Sequence, residues 1–364
     1  MTKLIDLCDI QYGYAFDSNC FSKDNSYPQL ARIRDVKRGY SETFYTGKYP
    51  KEYVLSAGDL LIGMDGEFNV ARWKIDGALL NQRVCKVVAK NGTNEEYIRF
   101  FLLKQLKTIE EKTSFVTVKH LSAREINKIE VDIPKLCEQE KIATTLLMLE
   151  RIEELRNREL LLLDELVRGR FVELFGHPEN NEMNWPQYCF GDICTVRQGL
   201  QIPISKRLTE TEENCYEYIT VAYLHGGKER EYIKDPKDSV ICHEDDILMT
   251  RTGNTGMVVT DVEGVFHNNF FLIDFDRNRF SKGFLVEYLN LDYIQADILR
   301  RAGTSTIPDL NHGDFYKMKI YEPPIALQKE FEAFSRQIDK SKFGHLSMLT
   351  TIKSAYEQQT FIYS

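Results

Sequence analysis

The residues of this sequence best suited to chemistry are basic side chains that lie near short glycine-containing turns. Four of them fall in Arg32-Ile33-Arg34-Asp35-Val36-Lys37-Arg38-Gly39-Tyr40, which also holds a glycine and an aromatic residue. Arginine and lysine bind phosphates, arginine also reads guanine, and asparagine or glutamine reads adenine edges. The pattern therefore predicts contact with nucleic acid. The candidate contact residues are Arg32, Arg34, Lys37, Arg38, Arg72, Lys74, Asn81, Gln82, Arg83, Lys112, Lys206, Arg207, Arg251, Asn254, Asn268, Arg300 and Arg301.

The net charge of −8 argues against a uniformly basic binding surface. Residues 1–133 carry 20 Lys and Arg against 18 Asp and Glu, whereas residues 185–321 carry 15 against 21. Any one basic residue is equally well explained as a solvated surface charge, and only the clustering beside repeated turns favours contact. A nucleic-acid-binding protein of this composition needs local basic clusters or a partner that supplies the phosphate contacts.

An internal repeat organises the chain. The matched segments are 4–13 with 190–199, 58–66 with 245–253, 117–121 with 306–310, and Pro134 with Pro323. The offset between the copies changes only from 186 to 189 residues. A period of this length predicts two tandem domains rather than a solenoid, and two copies of one recognition unit suggest a ligand with two similar, separated parts.

Each copy predicts the same order of elements. A strand-rich region comes first, an amphipathic helix follows at about 94–111 and 283–301, and a short strand ending at a proline closes the globular part. Mixed strands and helices in this order indicate an α+β domain in each half.

A long helix is predicted after each closing proline. Apolar residues recur every three or four positions with charged residues between them, as in a coiled-coil seam. The seam residues are Ile142, Leu146, Leu149, Ile152, Leu155, Leu162, Leu166 and Phe171 in the first helix, and Phe331, Phe334, Ile338, Leu346, Leu349, Ile352 and Tyr356 in the second. A helix from 138 to 175 spans roughly 55 Å, longer than one small domain. We therefore expect the two helices to pack antiparallel as a rigid spacer with pseudo-twofold symmetry, rather than each on its own domain alone.

The sequence shows no catalytic motif. It lacks a P-loop, a G-x-S-x-G elbow and the Asn/Asp-Pro-Pro-aromatic motif of amino-methyltransferases, since Pro323-Pro324 is followed by Ile325. The eight cysteines form no C-x-x-C pair and the seven histidines are scattered, so we expect reduced thiols and no metal site. Because no signal-peptide pattern follows Met1 and no run of about 18 apolar residues occurs, we predict a cytoplasmic protein.

The chain resembles the specificity subunits of type I restriction-modification systems. The motifs that carry the resemblance are Gly13-Tyr14-Ala15-Phe16, Gly58-Asp59-Leu60-Leu61 with Asp245-Asp246-Ile247-Leu248, Gly77-Ala78-Leu79-Leu80-Asn81-Gln82-Arg83, Gly303-Thr304-Ser305-Thr306-Ile307-Pro308-Asp309-Leu310-Asn311 and Ile325-Ala326-Leu327-Gln328-Lys329-Glu330. They cover the full length in the family's order. The resemblance implies an α+β fold with two similar α/β target-recognition domains separated by two long antiparallel coiled-coil helices. The domains would occupy 1–135 and 185–322, and the spacer helices 136–180 and 323–364.

The resemblance also implies a function. Each domain would read one half of a bipartite double-stranded DNA sequence, chiefly through the major groove, and the helices would fix the half-site separation and dock two modification subunits. Those partners would bind S-adenosylmethionine and methylate adenine, and restriction/translocase subunits using ATP and Mg would join them. This chain would be non-catalytic, with no cofactor of its own.

Two other functions stay open on the residues alone. A protein-interaction scaffold, with two binding domains on a helical hairpin, accounts better for the acidity and less well for the arginine-rich turns. Binding that weakens steeply with salt would favour DNA over this scaffold. A fragment of a fused restriction-methylation enzyme is the third possibility, and methyl transfer by the purified chain alone would support it.

Overall fold

Two units make up the chain. A computed structural model describes residues 1–112, 120–224, 226, 230–303 and 308–362, and the side chains of 112, 343 and 345–362 lie outside that description. Unit 1 is Met1–Asn157 with Ser347–Ser364, and unit 2 is Arg158–Leu346. Both units combine helices with sheets, which confirms the predicted α+β class.

The main sheet of unit 1 has four antiparallel strands. The strands described in this unit are β1 (Thr2–Lys3), β2 (Cys8–Tyr12), β3 (Phe21–Ser22), β4 (Leu30–Ala31), β5 (Phe44–Tyr45), β6 (Leu60–Gly63), β7 (Val70–Arg72), β8 (Leu79–Leu80), β9 (Val84–Ala89) and β10 (Glu130–Val131). The main sheet has the order β2-β9-β6-β7, and the other strands pair as β1-β10, β3-β5 and β4-β8. Strand β6 is buried along its whole length because its residues are apolar or glycine.

The first four α-helices that the structure describes lie wholly or partly in unit 1. They are α1 (Leu4–Leu7), α2 (Glu95–Lys112), α3 (Ala123–Ile126) and the start of α4 (Leu136–Phe175). Helix α2 begins where the Asn94 side chain accepts a hydrogen bond from the Tyr97 N–H at 3.0 Å. Glu95 and Glu96 follow in its first turn, where the helix dipole favours carboxylates. One hydrophobic core joins the sheet, α2 and the first turns of α4, including the buried Leu146.

Unit 2 repeats the main sheet and adds a second one. The strands described in this unit are β11 (Gln187–Cys189), β12 (Cys194–Gln198), β13 (Cys215–Ile219), β14 (Tyr232–Lys234), β15 (Ile241–Cys242), β16 (Ile247–Thr250), β17 (Val258–Val259), β18 (Gly264–Phe266), β19 (Phe270–Phe275) and β20 (Lys319–Tyr321). One sheet has the order β12-β19-β16-β17, which corresponds strand by strand to the unit 1 order β2-β9-β6-β7. The other sheet has the order β14-β13-β18-β15. Strands β11 and β20 form a separate pair.

The predicted helix at 283–301 is wrong as a single element. The helices described in unit 2 are α5 (Val221–Leu224), α6 (Lys282–Asn290), α7 (Asp292–Ala302), α8 (His312–Tyr316) and the start of α9 (Ile325–Ile362). Leu291 separates α6 from α7 because its backbone is extended, with ψ of 137°. Its side chain is buried in the unit 2 core, so tertiary packing interrupts a pattern that reads as one amphipathic helix.

The internal repeat is preserved at the level of hydrogen-bond register. Cys8 at the start of β2 lies opposite Ala89, the last residue of β9. Cys194 at the start of β12 likewise lies opposite Phe275, the last residue of β19. The first strand of each globular part also pairs with its last, β1 with β10 and β11 with β20. The predicted tandem repeat is therefore confirmed.

Helices α4 and α9 are antiparallel where they meet in unit 2. The Phe171 and Phe331 rings lie 5.3 Å apart, and Asp164 forms an ion pair with Lys342 at 2.7 Å. Moving backwards along α4 therefore means moving forwards along α9, as predicted. The predicted seam residues Leu346, Leu349, Ile352 and Tyr356 lie outside the described side chains.

The predicted seam of α4 is partly wrong. Ile142, Leu146 and Phe171 are buried, but Ile152, Leu155, Leu162 and Leu166 are between 40% and 53% exposed. The less exposed face instead passes through positions 149, 153, 156, 160, 163 and 167, spaced alternately by three and four. Two of these positions are the charged residues Glu153 and Arg156. The spacing of apolar residue types therefore predicted the wrong face of α4 in its middle part.

Candidate nucleic-acid interface

The glycine turn of each repeat is held by the same pattern of main-chain hydrogen bonds, which we call the backbone frame. In unit 1 the Met64 N–H donates to the Arg83 carbonyl at 2.9 Å, and the Leu121 N–H donates to the Met64 carbonyl at 2.7 Å. In unit 2 the Arg251 N–H donates to the Asn269 carbonyl at 2.7 Å, and the Leu310 N–H donates to the Arg251 carbonyl at 2.9 Å. Three separate segments thus meet at each turn. The remainder of the matched segments 117–121 and 306–310 lies largely outside the described residues.

On the other side of each backbone frame, a glycine allows two main-chain segments to approach each other closely. An added Cβ on Gly13 would lie 2.0 Å from the Asn81 carbonyl oxygen, and one on Gly199 would lie 2.3 Å from the Phe266 and His267 carbonyl oxygens. Both distances are far inside van der Waals contact, so any side chain here would displace the backbone. The close approach holds the residue that directly follows β2 or β12 against the segment that carries the amide candidates Asn81 or Asn268.

The first turn cluster consists of Asp65, Arg83 and His120. The His120 Nδ1 is hydrogen-bonded to Asp65, and the Arg83 Nη1 lies 3.2 Å from both ring nitrogens of His120. The Arg83 Nε is 3.5 Å from Asp65 Oδ2, and the arginine side chain remains 52% exposed. Arg83 also has a positive φ of 70°, an uncommon conformation for a residue with a side chain. The cluster presents an oriented guanidinium to solvent.

The second turn cluster consists of Arg251, Asn269 and Asp309. Arg251 donates two parallel hydrogen bonds to the Asp309 carboxylate at 2.9 and 2.8 Å. Its side chain is only 20% exposed, and Asn269 occupies the position of Arg83 in the frame. Because the carboxylate engages the guanidinium fork, this cluster offers mixed charge where the first offers a more open cation. The same frame therefore carries different chemistry in the two units.

The basic segment 32–40 packs beside the first turn cluster. Lys37 forms an ion pair at 3.5 Å with Glu67, which lies on the glycine turn. The Lys74 N–H donates to the Gly39 carbonyl at 2.8 Å, which ties Lys74 to the same segment. The structure thus brings the basic segment, Lys74 and the turn together, although the segment and the turn are far apart in sequence.

Four basic candidates of unit 1 lie within the segment 32–40, beside the first turn cluster. Arg34 is exposed, Arg32 lies over the Phe21 ring at 5.7 Å, and Arg38 is paired with Asp35 and lies 5.2 Å from the Tyr40 ring. With Lys37 they form an exposed or half-exposed row. Arg34 forms no ion pair with a described residue, so it has the freest guanidinium of the row.

Other basic candidates are engaged in holding the fold. Arg72 is paired with Glu95 at 2.9 Å and with Glu96, at the start of α2. Arg207 is paired with Glu231 at 2.9 Å and lies over the Tyr218 ring at 5.0 Å. These contacts supply a structural reason for each residue. As DNA contacts, both stay predictions.

The remaining candidates differ widely in environment. Arg300 and Arg301 share the carboxylate of Asp297, while Lys206, Gln82 and Asn254 are exposed. Asn81 is buried and Asn268 is partly buried, and the Oδ1 atom of each is buried without a hydrogen-bond partner among the described residues. The side chain of Lys112 lies outside the description.

Sequence reasoning missed Asp65, His120 and Asp309 as members of the turn clusters. The available signal was their position inside the matched segments, since His120 and Asp309 occupy the same place in the two copies. In a single sequence this shared position reveals the repeat but not which side chains face one another. A carboxylate or histidine opposite a glycine turn would have marked the residues that orient the nearby arginines.

The described residues show neither a metal centre nor a reactive thiol in the core. No three His, Cys, Asp or Glu side chains in the described ranges come together as metal ligands. Burial raises the pKa of the thiols of Cys8, Cys85, Cys194 and Cys242 to about 12, so they stay protonated at neutral pH. None of the helices described is long and apolar enough to cross a bilayer.

Comparison with known proteins agrees with the doubled frame. The family model described as the type I restriction modification DNA specificity domain matches residues 1–163 and again residues 182–344. The specificity subunit of the type I restriction enzyme EcoBI from Escherichia coli is 41% identical over 141 residues, which are 38% of this chain. This match spans only 30% of that relative's length.

Two solved structures share the fold. The S subunit of a type I restriction-modification system from M. genitalium aligns over 98% of this chain and 94% of its own, with a TM-score of 0.61 and 16% identity. The second structure is described as the structural basis underlying complex assembly and conformational transition of the type I R-M system. It aligns over 99% of this chain and 95% of its own, with a TM-score of 0.54 and 17% identity. With its family model matched once in each half, the chain belongs to the family of type I restriction modification DNA specificity domain proteins, and it holds two copies of that domain.

Proposed function

We propose that this chain is the specificity subunit of a type I restriction-modification complex. Each globular domain reads one half of a bipartite double-stranded DNA site, and the long helices set the separation between the halves and dock two modification subunits. The domains correspond to residues 1–135 and 185–322, and the spacer helices to 136–180 and 323–364. The observation that carries the proposal is one backbone frame that appears twice with different polar side chains, because two such sites read two different short sequences.

The chemistry of the complex is assigned to its partners. The modification subunits bind S-adenosylmethionine and methylate adenine, and restriction/translocase subunits using ATP and Mg join them in the cytoplasm. This chain supplies no catalytic group and no cofactor. That division of labour also suits the acidic second unit, since partner subunits add the phosphate contacts that it lacks.

The decisive experiment is the adenine methylome of the source strain with and without this gene. We expect deletion to remove one bipartite methylated motif and complementation to restore it. An unchanged methylome, together with no salt-dependent DNA binding by the purified chain and its modification subunits, would contradict the proposal.

The turn clusters provide a finer test. The variant Arg83→Ala should relax sequence preference in one half-site only, and the double variant Arg251→Ala/Asp309→Ala should relax it in the other. A base pair that is no longer read costs about 1–3 kcal/mol of discrimination. The double change in unit 2 avoids leaving the Asp309 carboxylate without its partner. Relaxation in both halves by either variant would show that the domains are not independent readers.

A protein-interaction scaffold is the second candidate, because the arginines of unit 2 are largely engaged in ion pairs. Arg207 and Arg251 each contact a carboxylate at 2.9 Å or less. On this alternative, the purified chain binds a protein partner with little dependence on salt and the methylome experiment shows no change.

A further inference from the structure

Each long helix is attached to its globular domain by the same buried glutamine. Gln139 is the fourth residue of α4 and Gln328 is the fourth residue of α9. Their exposed fractions are 1% and 0%, which is rare for a polar side chain. Each lies where the globular domain ends and the long helix begins.

Within the described part of the chain, the Gln139 side chain forms its hydrogen bonds with main-chain groups of unit 1. Its Oε1 accepts a hydrogen bond from the Asn94 N–H at 2.8 Å. Its Nε2 donates to the Pro134 carbonyl at 2.9 Å and to the Gly92 carbonyl at 3.4 Å. Asn94 is the residue whose side chain caps α2, so the amide joins the start of α4 to the start of the domain helix.

Gln328 makes the same three bonds in unit 2. Its Oε1 accepts from the Ser281 N–H at 2.9 Å, and its Nε2 donates to the Pro323 carbonyl at 2.8 Å and to the Arg279 carbonyl at 3.0 Å. Ser281 caps α6, the counterpart of α2. In both units the acceptors are the proline five residues before the glutamine and the residue two before the cap.

The surrounding core does not replace this bond pattern. Ile142 and Leu146 in unit 1, and Phe331 in unit 2, supply apolar contact between each long helix and its domain. The free energy of apolar burial follows buried area and is not directional, so a small change in helix angle costs it little. Hydrogen bonds from one planar amide to three main-chain groups do define an angle.

We propose that Gln139 and Gln328 are positioning residues that fix the direction in which each long helix leaves its globular domain. We further infer that these two glutamines restrict the complex to one half-site separation; this inference rests on the proposed function. Helix α4 has 40 residues and is about 60 Å long. A tilt of about 5° at its base moves its far end by about 5 Å, more than the ~3.4 Å rise of one base pair.

The test compares the double variant Gln139→Met/Gln328→Met with wild type. Methionine keeps the length of the side chain and removes all six hydrogen bonds described above. The matched control is Gln337→Met, an exposed glutamine on α9. Each chain is assembled with its modification subunits and offered duplexes that carry the natural spacer, or spacers one or two base pairs shorter or longer, in equilibrium competition.

We expect the preference for the natural spacer to fall by about tenfold or more in the double variant, with sequence preference in each half-site unchanged. A merely structural loss would lower the active fraction without changing this ratio, because unfolded molecules do not compete. A folded double variant that keeps the wild-type spacer ratio would overturn the inference. If the double variant does not fold, the single variants Gln139→Met and Gln328→Met, each of which keeps one of the two glutamines, are judged by the same ratio.

A second measurement does not depend on DNA. Hydrogen exchange at the Asn94 and Ser281 amides should accelerate by about tenfold or more in the double variant and stay unchanged in Gln337→Met. Unchanged exchange at both amides would overturn the inference. If wild-type assemblies bind no DNA, the proposed function fails, while this exchange result still decides whether the glutamines hold the helix junctions.

Discussion

The aromatic cluster that joins the long helices to unit 2 allows a quantitative prediction. Phe171 on α4 is fully buried, and its ring lies 4.8 Å from Phe175, 5.4 Å from Phe284 and 5.3 Å from Phe331. Truncating a buried phenylalanine to alanine costs about 3–5 kcal/mol. Because three ring contacts are lost together, each worth about 0.5–1.5 kcal/mol beyond burial, we expect Phe171→Ala to fall in the middle or upper part of that range, about 4 kcal/mol.

The assay is thermal unfolding of the full chain, followed by the fluorescence of Trp185. This tryptophan lies in unit 2 and donates its indole N–H to the Phe175 carbonyl at 3.0 Å. All proteins carry Trp73→Phe to remove the signal from unit 1. For a domain of about 150–250 residues, 1 kcal/mol shifts Tm by about 2–4 °C, so Phe171→Ala should lower Tm by about 8–16 °C.

The control lies on the same helix. Leu162 is 53% exposed, so Leu162→Ala should change stability by no more than about 0.5 kcal/mol and Tm by no more than about 2 °C. Equal shifts for Phe171→Ala and Leu162→Ala would refute the assignment of Phe171 to the junction of the helices with unit 2.

Further predictions concern charge, pH and thiols. Arg34→Ala should weaken DNA binding by the assembled complex and reduce the slope of log affinity against log salt by about one, whereas Arg72→Ala should mainly lower Tm because it breaks contacts to α2. Burial and a nearby arginine lower the pKa of His267, so as pH falls below the ordinary histidine value of about 6.5 the unfolded chain takes up the proton first and the free energy of unfolding decreases. Denaturant titrations at several pH values should show this decrease, and His267→Gln should reduce it. A thiol reagent at neutral pH should label the exposed Cys137 in the native chain and leave Cys194 unlabelled until unfolding; early labelling of Cys194, read by mass spectrometry, would contradict its burial.

The repeat could be predicted from sequence because a constant spacing implies a constant framework. Residues 4–13 and 190–199 align with strands β2 and β12, and the prolines that close each domain precede the long helices. The order of strands in the sheets did not follow from the pattern. Strand order depends on pairings between residues far apart, such as Ile10 with Val87, which no local periodicity specifies.

The candidate site was predictable in outline but not in detail. The sequence placed Arg72, Lys74 and Arg83 near one glycine turn, but it did not show that the segment 32–40 lies next to Lys74, because that approach depends on a main-chain hydrogen bond between distant residues. The neutralising partners were invisible because they lie far away in sequence, as Asp309 lies 58 residues from Arg251. A count of basic residues therefore overstates the free positive charge of unit 2.

The pairing of the first strand of each globular domain with its last has an evolutionary consequence. Thr2 lies opposite Val131, and Gln187 lies opposite Tyr321, so the polypeptide arrives at and departs from each domain at neighbouring points. Genetic recombination with both crossover points in this pair of strands would exchange everything between them as a cassette. The incoming cassette could differ in length and sequence, yet the helix that follows would still start from the same anchored position. On the proposed function, such an exchange would replace one half-site without any compensating change in the rest of the gene.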